Sequence, residues 1–230
     1  MNDRIRRIPS PGSRIPEMIT INEIFYSVQG ESTYAGRPCV FVRLTACDLR
    51  CTWCDTPYAF HEGSKRSLEE VLGEVDRFGC PLVEVTGGEP LLQEDVYPLM
   101  HGLLERGKTV LLETGGHRST ARVPADVVTI LDVKCPGSGE VAHNDWDNLS
   151  RLRPHDEVKF VIADRTDYDF ARDVITRHEL PGRAAAIHFS PVHGVLDPKT
   201  LSEWVLADSL PVRVQLQLHK YIWSPTARGV

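Results

Sequence analysis

The sequence predicts an α/β fold, an open, partial TIM-type barrel of about six parallel strands. Three observations predict it. Short apolar runs of strand composition alternate with segments whose apolar residues recur at helical spacing, the pattern of parallel strands joined by crossover helices. The runs end in polar or glycine-bearing residues, at Thr86, Glu113, Asp132 and Ser190, and the carboxyl ends of such strands are where α/β barrels gather reactive groups. About six such strands are too few to close an eight-unit barrel.

The elements follow in order. Residues 1–18 carry Arg4, Arg6, Arg7 and Arg14 among Pro9, Pro11 and Pro16, which break any helix. They are expected to be a disordered tail ahead of one domain over 19–230; no apolar core follows to make a signal peptide. The run I-T-I-N-E-I-F-Y-S-V, residues 19–28, reads as a strand, and Gly36-Arg37-Pro38 turns the chain into a second at 39–44. Ser67 as helix cap with Glu70 three residues on makes a capping box. Leu68, Val71, Leu72, Val75 and Phe78 then repeat on one helical face, and Gly79 ends it. Strands are expected at 81–86, 108–112, 127–133, 157–162, 184–189 and 212–218. Helices are expected at 93–106, 166–178 and 201–206, with 221–230 as a C-terminal tail.

With 230 residues, 41% apolar and 25% charged, the composition is ordinary for a globular domain. A net charge of −6 argues against a nucleic-acid surface, which wants a basic face. No run approaches 18 apolar residues, so nothing is expected to span a membrane. Six cysteines in this length do not make a disulfide scaffold. Cys39, Cys80 and Cys135 lie beside apolar runs or prolines and read as core thiols, which suits a reducing cytoplasm.

Cys47, Cys51 and Cys54 are different. They fall at C-x3-C-x2-C spacing on a loop delivered by the 39–44 strand, so three thiolates can converge without a large closure entropy. A zinc site needs a fourth protein ligand, for which His61 is the near candidate. A [4Fe–4S] cluster takes one soft ligand per iron, and three cysteines leave one iron open to a small molecule. Asp55 and Thr56 follow, offering either oxygen ligands for Mg2+ or a turn before Pro57. Thr86-Gly87-Gly88-Glu89-Pro90 opens a helix, with glycines that admit close backbone approach and a carboxylate that could pair with an ammonium group. Asp132-Val133-Lys134 ends another strand. Arg43, four residues before Cys47, could reach a carboxylate near the cysteines.

The cysteine loop, with Trp53 just before its last cysteine, resembles the signature of the radical S-adenosylmethionine (SAM) enzymes, and G-G-E at 87–89 resembles the motif with which they hold the SAM amino group. Within them, E-I-F-x-x-x-Q-G-E at 23–31, Arg43, C-D-T at 54–56, T-G-G-E-P and the closing Q-L-H-K-Y-I-W-x-P-x-x-R-G-V at 217–230 are similar to the 7-carboxy-7-deazaguanine synthase family of queuosine-precursor biosynthesis. The likeness covers nearly everything from residue 19 onward.

That resemblance implies a carbon–nitrogen lyase converting 6-carboxy-5,6,7,8-tetrahydropterin to 7-carboxy-7-deazaguanine with release of ammonia. It implies a [4Fe–4S] cluster, SAM and Mg2+ as cofactors, a flavodoxin- or ferredoxin-type electron donor and a homodimer. By carry-over, Val28, Gln29, Gly30, Arg43, Thr86 and Val230 would bind substrate. Trp53, Cys54, Asp55, Gly88, Glu89, Asp132, Val133 and Lys134 would border SAM. Cys47, Cys51 and Cys54 would hold the cluster and Thr56 would face Mg2+. The rivals are another radical SAM enzyme, such as a glycyl-radical activase, and a zinc-stabilised binding module.

Overall fold

A computed structural model describes residues 18–230. The expected tail therefore lies outside the described residues, apart from Met18, which opens the first strand. The strands are β1 (Met18–Val28), β2 (Pro38–Leu44), β3 (Ser64–Ser67), β4 (Leu82–Gly87), β5 (Thr109–Thr114), β6 (Val128–Asp132), β7 (Glu157–Ile162), β8 (Ala186–Pro191) and β9 (Arg213–Val214). The helices are α1 (Leu68–Arg77), α2 (Val96–Glu105), α3 (Asp147–Ser150), α4 (Arg165–Arg177), α5 (Pro198–Asp208) and α6 (Leu218–Ile222).

The strands form one sheet in the order β3-β1-β2-β4-β5-β6-β7-β8-β9. From β2 to β9 every pairing is parallel. β1 instead pairs antiparallel with both β2 and β3. The short 29–37 connection explains the β1–β2 direction, since a parallel return needs a long crossover. The expected partial barrel is present: six full parallel strands, then the two-residue β9.

Helices cover the outer face in two groups. The first apolar cluster packs Val71, Leu72 and Val75 of α1 and Leu99, Met100 and Leu103 of α2 against β1, β2, β4 and β5. The second packs Tyr168, Ala171 and Val174 of α4 and Leu201 and Val205 of α5 against β6, β7 and β8. Each such side chain removed from water contributes roughly 1.5–3 kcal/mol. The capping box forms as expected, with Ser67 and Glu70 each accepting from the other's backbone amide. Cys39, Cys80 and Cys135 are buried core thiols.

Differences from expectation lie at the edges. The polar run S-K-R-S forms β3 through backbone pairing with β1. The strand expected over 212–218 is only Arg213–Val214, and the chain turns into α6 at Leu218. α5 begins earlier than its apolar repeat because the Asp197 side chain caps it and Pro198 suits its first turn.

The loop after β1 spans the open side of the curved sheet. The Thr33 amide and hydroxyl donate to Glu157 at the start of β7. Ser32 and the Gln215 side chain exchange two hydrogen bonds of 2.9 Å. The Leu218 amide donates to the Gly30 carbonyl at 3.1 Å. Among the described residues no helix is long and apolar enough to cross a membrane.

Candidate active site

β2 ends at Leu44, and the cysteine loop leaves it beside the C-terminal end of β4. The Gly88 amide donates to the Leu44 carbonyl at 3.1 Å, and the Glu89 amide donates to Ala46 at 2.8 Å. A Cβ on Gly88 would lie 2.1 Å from the Ala46 oxygen and 2.8 Å from the Cys47 Cβ. Only glycine lets the two loops nest this closely. The far side of the loop is tied to the β6 end, through the Thr52 amide to Ser138 (3.0 Å) and the Arg50 amide to Glu140 (2.6 Å).

Cys47, Cys51 and Cys54 line one cavity of about 280 Å³ at the carboxyl ends of the parallel strands. Burial pushes the Cys47 thiol up to about 11 and raises Cys51 as well, with Lys134 opposing the rise at Cys51. A metal centre bound here therefore has to displace thiol protons. The donor set fits a cluster better than one ion. Among the described residues no three His, Cys, Asp or Glu side chains are gathered closely enough for a single metal. His61, the fourth zinc ligand the sequence offered, is exposed and outside the cavity lining. Three sulfurs around a shared space suit a polynuclear centre.

The same cavity gathers nearly all the expected site residues. Val28, Gln29, Gly30, Arg43, Thr86 and Val230 line it, as do Trp53, Asp55, Thr56, Gly88, Glu89, Asp132 and Lys134. Val133 does not: its side chain belongs to the second apolar cluster, because alternate strand residues face opposite sides. Its amide donates to the Lys159 carbonyl at 2.9 Å, which holds the two strand ends together.

The Glu89 carboxylate is completely buried and accepts from the Leu91 and Gly115 amides and the Thr114 hydroxyl. Arg43 donates from Nε to Glu23 at 2.8 Å, and Glu23 also accepts from the Tyr58 hydroxyl at 2.9 Å. Thr56 precedes a short 3-10 turn, yet its hydroxyl does not cap it, which leaves that oxygen available to a ligand. Asp132 Oδ2 pairs with Lys134 at 2.9 Å, while its buried Oδ1 has no partner.

Beneath these groups the cavity wall is ionic. The Lys159 ammonium reaches Glu31 at 3.1 Å, Glu113, and Asp132 at 3.9 Å. Burial opposes charge on both Lys159 and Glu113, but their mutual attraction wins, raising the lysine and lowering the glutamate. Glu84 behaves oppositely. Burial and the nearby Glu113 push its carboxyl well above the ordinary range, and it accepts from Gln29 Nε2 at 2.5 Å. The two neighbouring carboxyls are thus pushed in opposite directions by the same wall.

Sequence reasoning did not place Glu31, Glu84, Lys159, His117, His219 or Lys220 in the site, yet all line the cavity. A signal existed for two of them. Glu84 and Lys159 interrupt otherwise apolar strand runs, and a charged residue inside such a run must find a partner or a ligand.

The C-terminal segment lies against the same opening. Lys220 pairs with Asp55 at 3.0 Å. Arg228 stacks 3.8 Å over the Tyr58 ring and pairs with Glu62 at 3.0 Å.

Residues 42–132 match the radical SAM superfamily. The 7-carboxy-7-deazaguanine synthase of Koribacter versatilis is 50% identical over 224 residues, covering 91% of this chain and 99% of that one. The protein of the same name from Chlorobaculum tepidum is 49% identical over 215 residues, covering 92% of this chain and 97% of that one. Among solved structures, QueE from Escherichia coli matches with a TM-score of 0.73 at 22% identity, covering 87% of this chain and 94% of that one. Streptococcus suis SuiB bound to S-adenosylmethionine matches with a TM-score of 0.55 at 10% identity, covering 75% of this chain and 48% of that one.

Proposed function

The chain belongs to the 7-carboxy-7-deazaguanine synthase family of radical SAM enzymes, and on that footing we propose that its cavity takes 6-carboxy-5,6,7,8-tetrahydropterin, with Mg2+, and releases ammonia. It is a radical SAM enzyme that uses a [4Fe–4S] cluster and SAM and acts on a small molecule with the help of a reductant. We assign the reductant to a flavodoxin- or ferredoxin-type carrier, the assembly to a homodimer and the compartment to the cytoplasm.

Cys47, Cys51 and Cys54 would hold the cluster, with SAM bordered by Trp53, Gly88, Glu89, Asp132 and Lys134. When bound, these cofactors supply an electron and a hydrogen-abstracting carbon radical. The chain's own contribution is placement and exclusion of water. Arg43, steadied by Glu23, offers a guanidinium to the substrate carboxylate. The uncommitted Thr56 hydroxyl offers one oxygen to Mg2+, which keeps most of its own waters. Gln29, Gly30 and Thr86 border the ring, and the charged wall behind them matches a heterocycle bearing both N–H and carbonyl groups. α6 and the residues after it cover the opening and limit water there.

The observation that carries the reading is the nesting of the cysteine loop into the Gly88-Glu89 turn above a cavity with a charged wall. The test is anaerobic reconstitution, reduction, and incubation with SAM and the carboxypterin, followed by mass detection of the deazaguanine product. SAM cleavage without that product would assign a different substrate. Thr56→Ala should need more Mg2+ for half-maximal rate, and an unchanged titration would remove Thr56 from the metal site.

A further inference from the structure

His117 joins two parts of the site that different crossovers deliver. It follows β5, and its side chain is only 5% exposed. Nε2 lies 2.6 Å from Asp48 Oδ1, on the residue directly after Cys47. Arg118 holds the other Asp48 oxygen. An ionised carboxylate only accepts, so Nε2 carries the proton in this contact. On the other side of the ring, Nδ1 lies 3.7 Å from Glu89 Oε2 and is buried without a hydrogen-bond partner.

Gly115 makes this approach possible. A Cβ there would lie 3.1 Å from His117 Nδ1 and 3.3 Å from Glu89 Oε2, in the space between ring and carboxylate. The imidazole therefore sits between the cysteine loop, to which it is hydrogen-bonded, and the buried Glu89 corner, 3.7 Å away. Glu89 is itself held by Leu91, Thr114 and Gly115, so the His117–Asp48 hydrogen bond links the cysteine loop, through the short 115–117 backbone, to a fixed post.

We propose that His117 is a positioning residue that sets the separation between the cysteine loop and Glu89, the two places between which one SAM molecule is held. The inference rests on the radical SAM reading of the cavity. A loop free to drift against Glu89 must be ordered when SAM binds, and that ordering weakens binding without removing any cluster ligand. His117 is not expected to contribute to cluster retention, because the three cysteines and the loop's ties to Ser138 and Glu140 remain.

Two substitutions separate the two nitrogens. His117→Gln places an amide nitrogen near the Nε2 position and can keep the Asp48 bond. His117→Asn places one near Nδ1 and cannot reach Asp48. The measurements are iron and sulfide content, SAM affinity of the unreduced, reconstituted enzyme by equilibrium dialysis, and the change that SAM makes in the electron paramagnetic resonance spectrum of the reduced cluster. The expected result is wild-type iron in both variants, SAM affinity within about threefold of wild type for Gln, and affinity about tenfold weaker with a broadened SAM-bound spectrum for Asn. An Asn variant that binds SAM as tightly as wild type overturns the proposal. Equal loss of iron and SAM in both variants also overturns it, assigning His117 to folding alone. A wild-type protein that assembles no four-iron cluster would instead sink the enzyme reading on which the proposal rests.

Discussion

Lys220, on the short C-terminal helix, places its ammonium 3.0 Å from Asp55, the residue that follows the last cysteine of the loop. The pair fastens the end of the chain to the rim of the site. Burial alone would raise the Asp55 carboxyl, but Lys220 outweighs it and holds the group below the ordinary carboxylate range. A carboxyl lowered by folding contributes fully above its unfolded value, and the contribution is lost as pH falls through the lowered folded value.

Lys220→Ala should therefore loosen the C-terminal segment more than it destabilises the fold. Asp55 is part-exposed, so the stability loss should stay within about 1 kcal/mol. Proteolysis within residues 218–230 should become several-fold faster, and 1 M salt should produce part of the same effect in wild type. Unchanged cleavage in the variant would mean that the Arg228 contacts with Tyr58 and Glu62 hold the segment alone.

Lys159 serves a different purpose, as the counter-ion of Glu31, Glu113 and Asp132. Lys159→Met should cost about 3–5 kcal/mol, the usual result of leaving buried charge without its partner. The cost should shrink in acid. Without the lysine, the Glu113 carboxyl loses the attraction that lowers it and rises, and a group raised by folding loses stability as pH increases through its folded value. Denaturant unfolding should show a larger gap from wild type at pH 8 than at pH 5. A gap independent of pH would mean that lost packing dominates.

Glu84 is the one carboxyl in this wall that burial and Glu113 push up. Its folded value exceeds its unfolded one, so wild type loses stability as pH rises between the two. Glu84→Gln removes that dependence and keeps an acceptor for Gln29. The variant should gain on wild type as pH rises from 5 to 8, because it lacks the proton that wild type must give up. Parallel pH curves would show that Glu84 stays ionised.

The fold was legible where burial imposed a side-chain pattern. The apolar runs of β4, β7 and β8 and the Ser67–Glu70 cap of α1 could be read directly. β3 could not, because S-K-R-S joins the sheet through backbone bonds that leave no side-chain signature. The alternating run at 212–218 misled for a physical reason. Past Val214, Gln215 turns to hold Ser32, and the chain leaves the sheet edge to cover the site. In the site, the cysteine spacing is local and was read at once. Two partners of Lys159, Glu113 and Glu31, lie 46 and 128 residues away, and only the folded sheet with the loop after β1 brings them together. Val133, which the resemblance places beside SAM with Asp132 and Lys134, turns its side chain to the core, so any contact it makes there would come from its backbone.

Arg43 gives the test that separates substrate binding from the rest of the site. Its charge is secure: burial opposes it, but Tyr58 and Glu23 more than compensate and raise it further. Because Nε is committed to Glu23, the guanidinium is oriented before any substrate arrives. Arg43→Ala should raise the KM for the carboxypterin by roughly tenfold or more, the worth of a charge-assisted hydrogen bond. SAM affinity should stay near wild type, since Cys47 and Glu89 are held by other contacts. Arg43→Lys keeps the charge but loses the planar fork and should fall between the two. Glu23→Gln keeps the guanidinium while weakening its anchor, and should raise KM less than Arg43→Ala. Steady-state kinetics at saturating SAM, alongside SAM dialysis, distinguishes the outcomes. If pterin and SAM binding weaken equally in Arg43→Ala, Arg43 supports the barrel wall and does not contact the substrate.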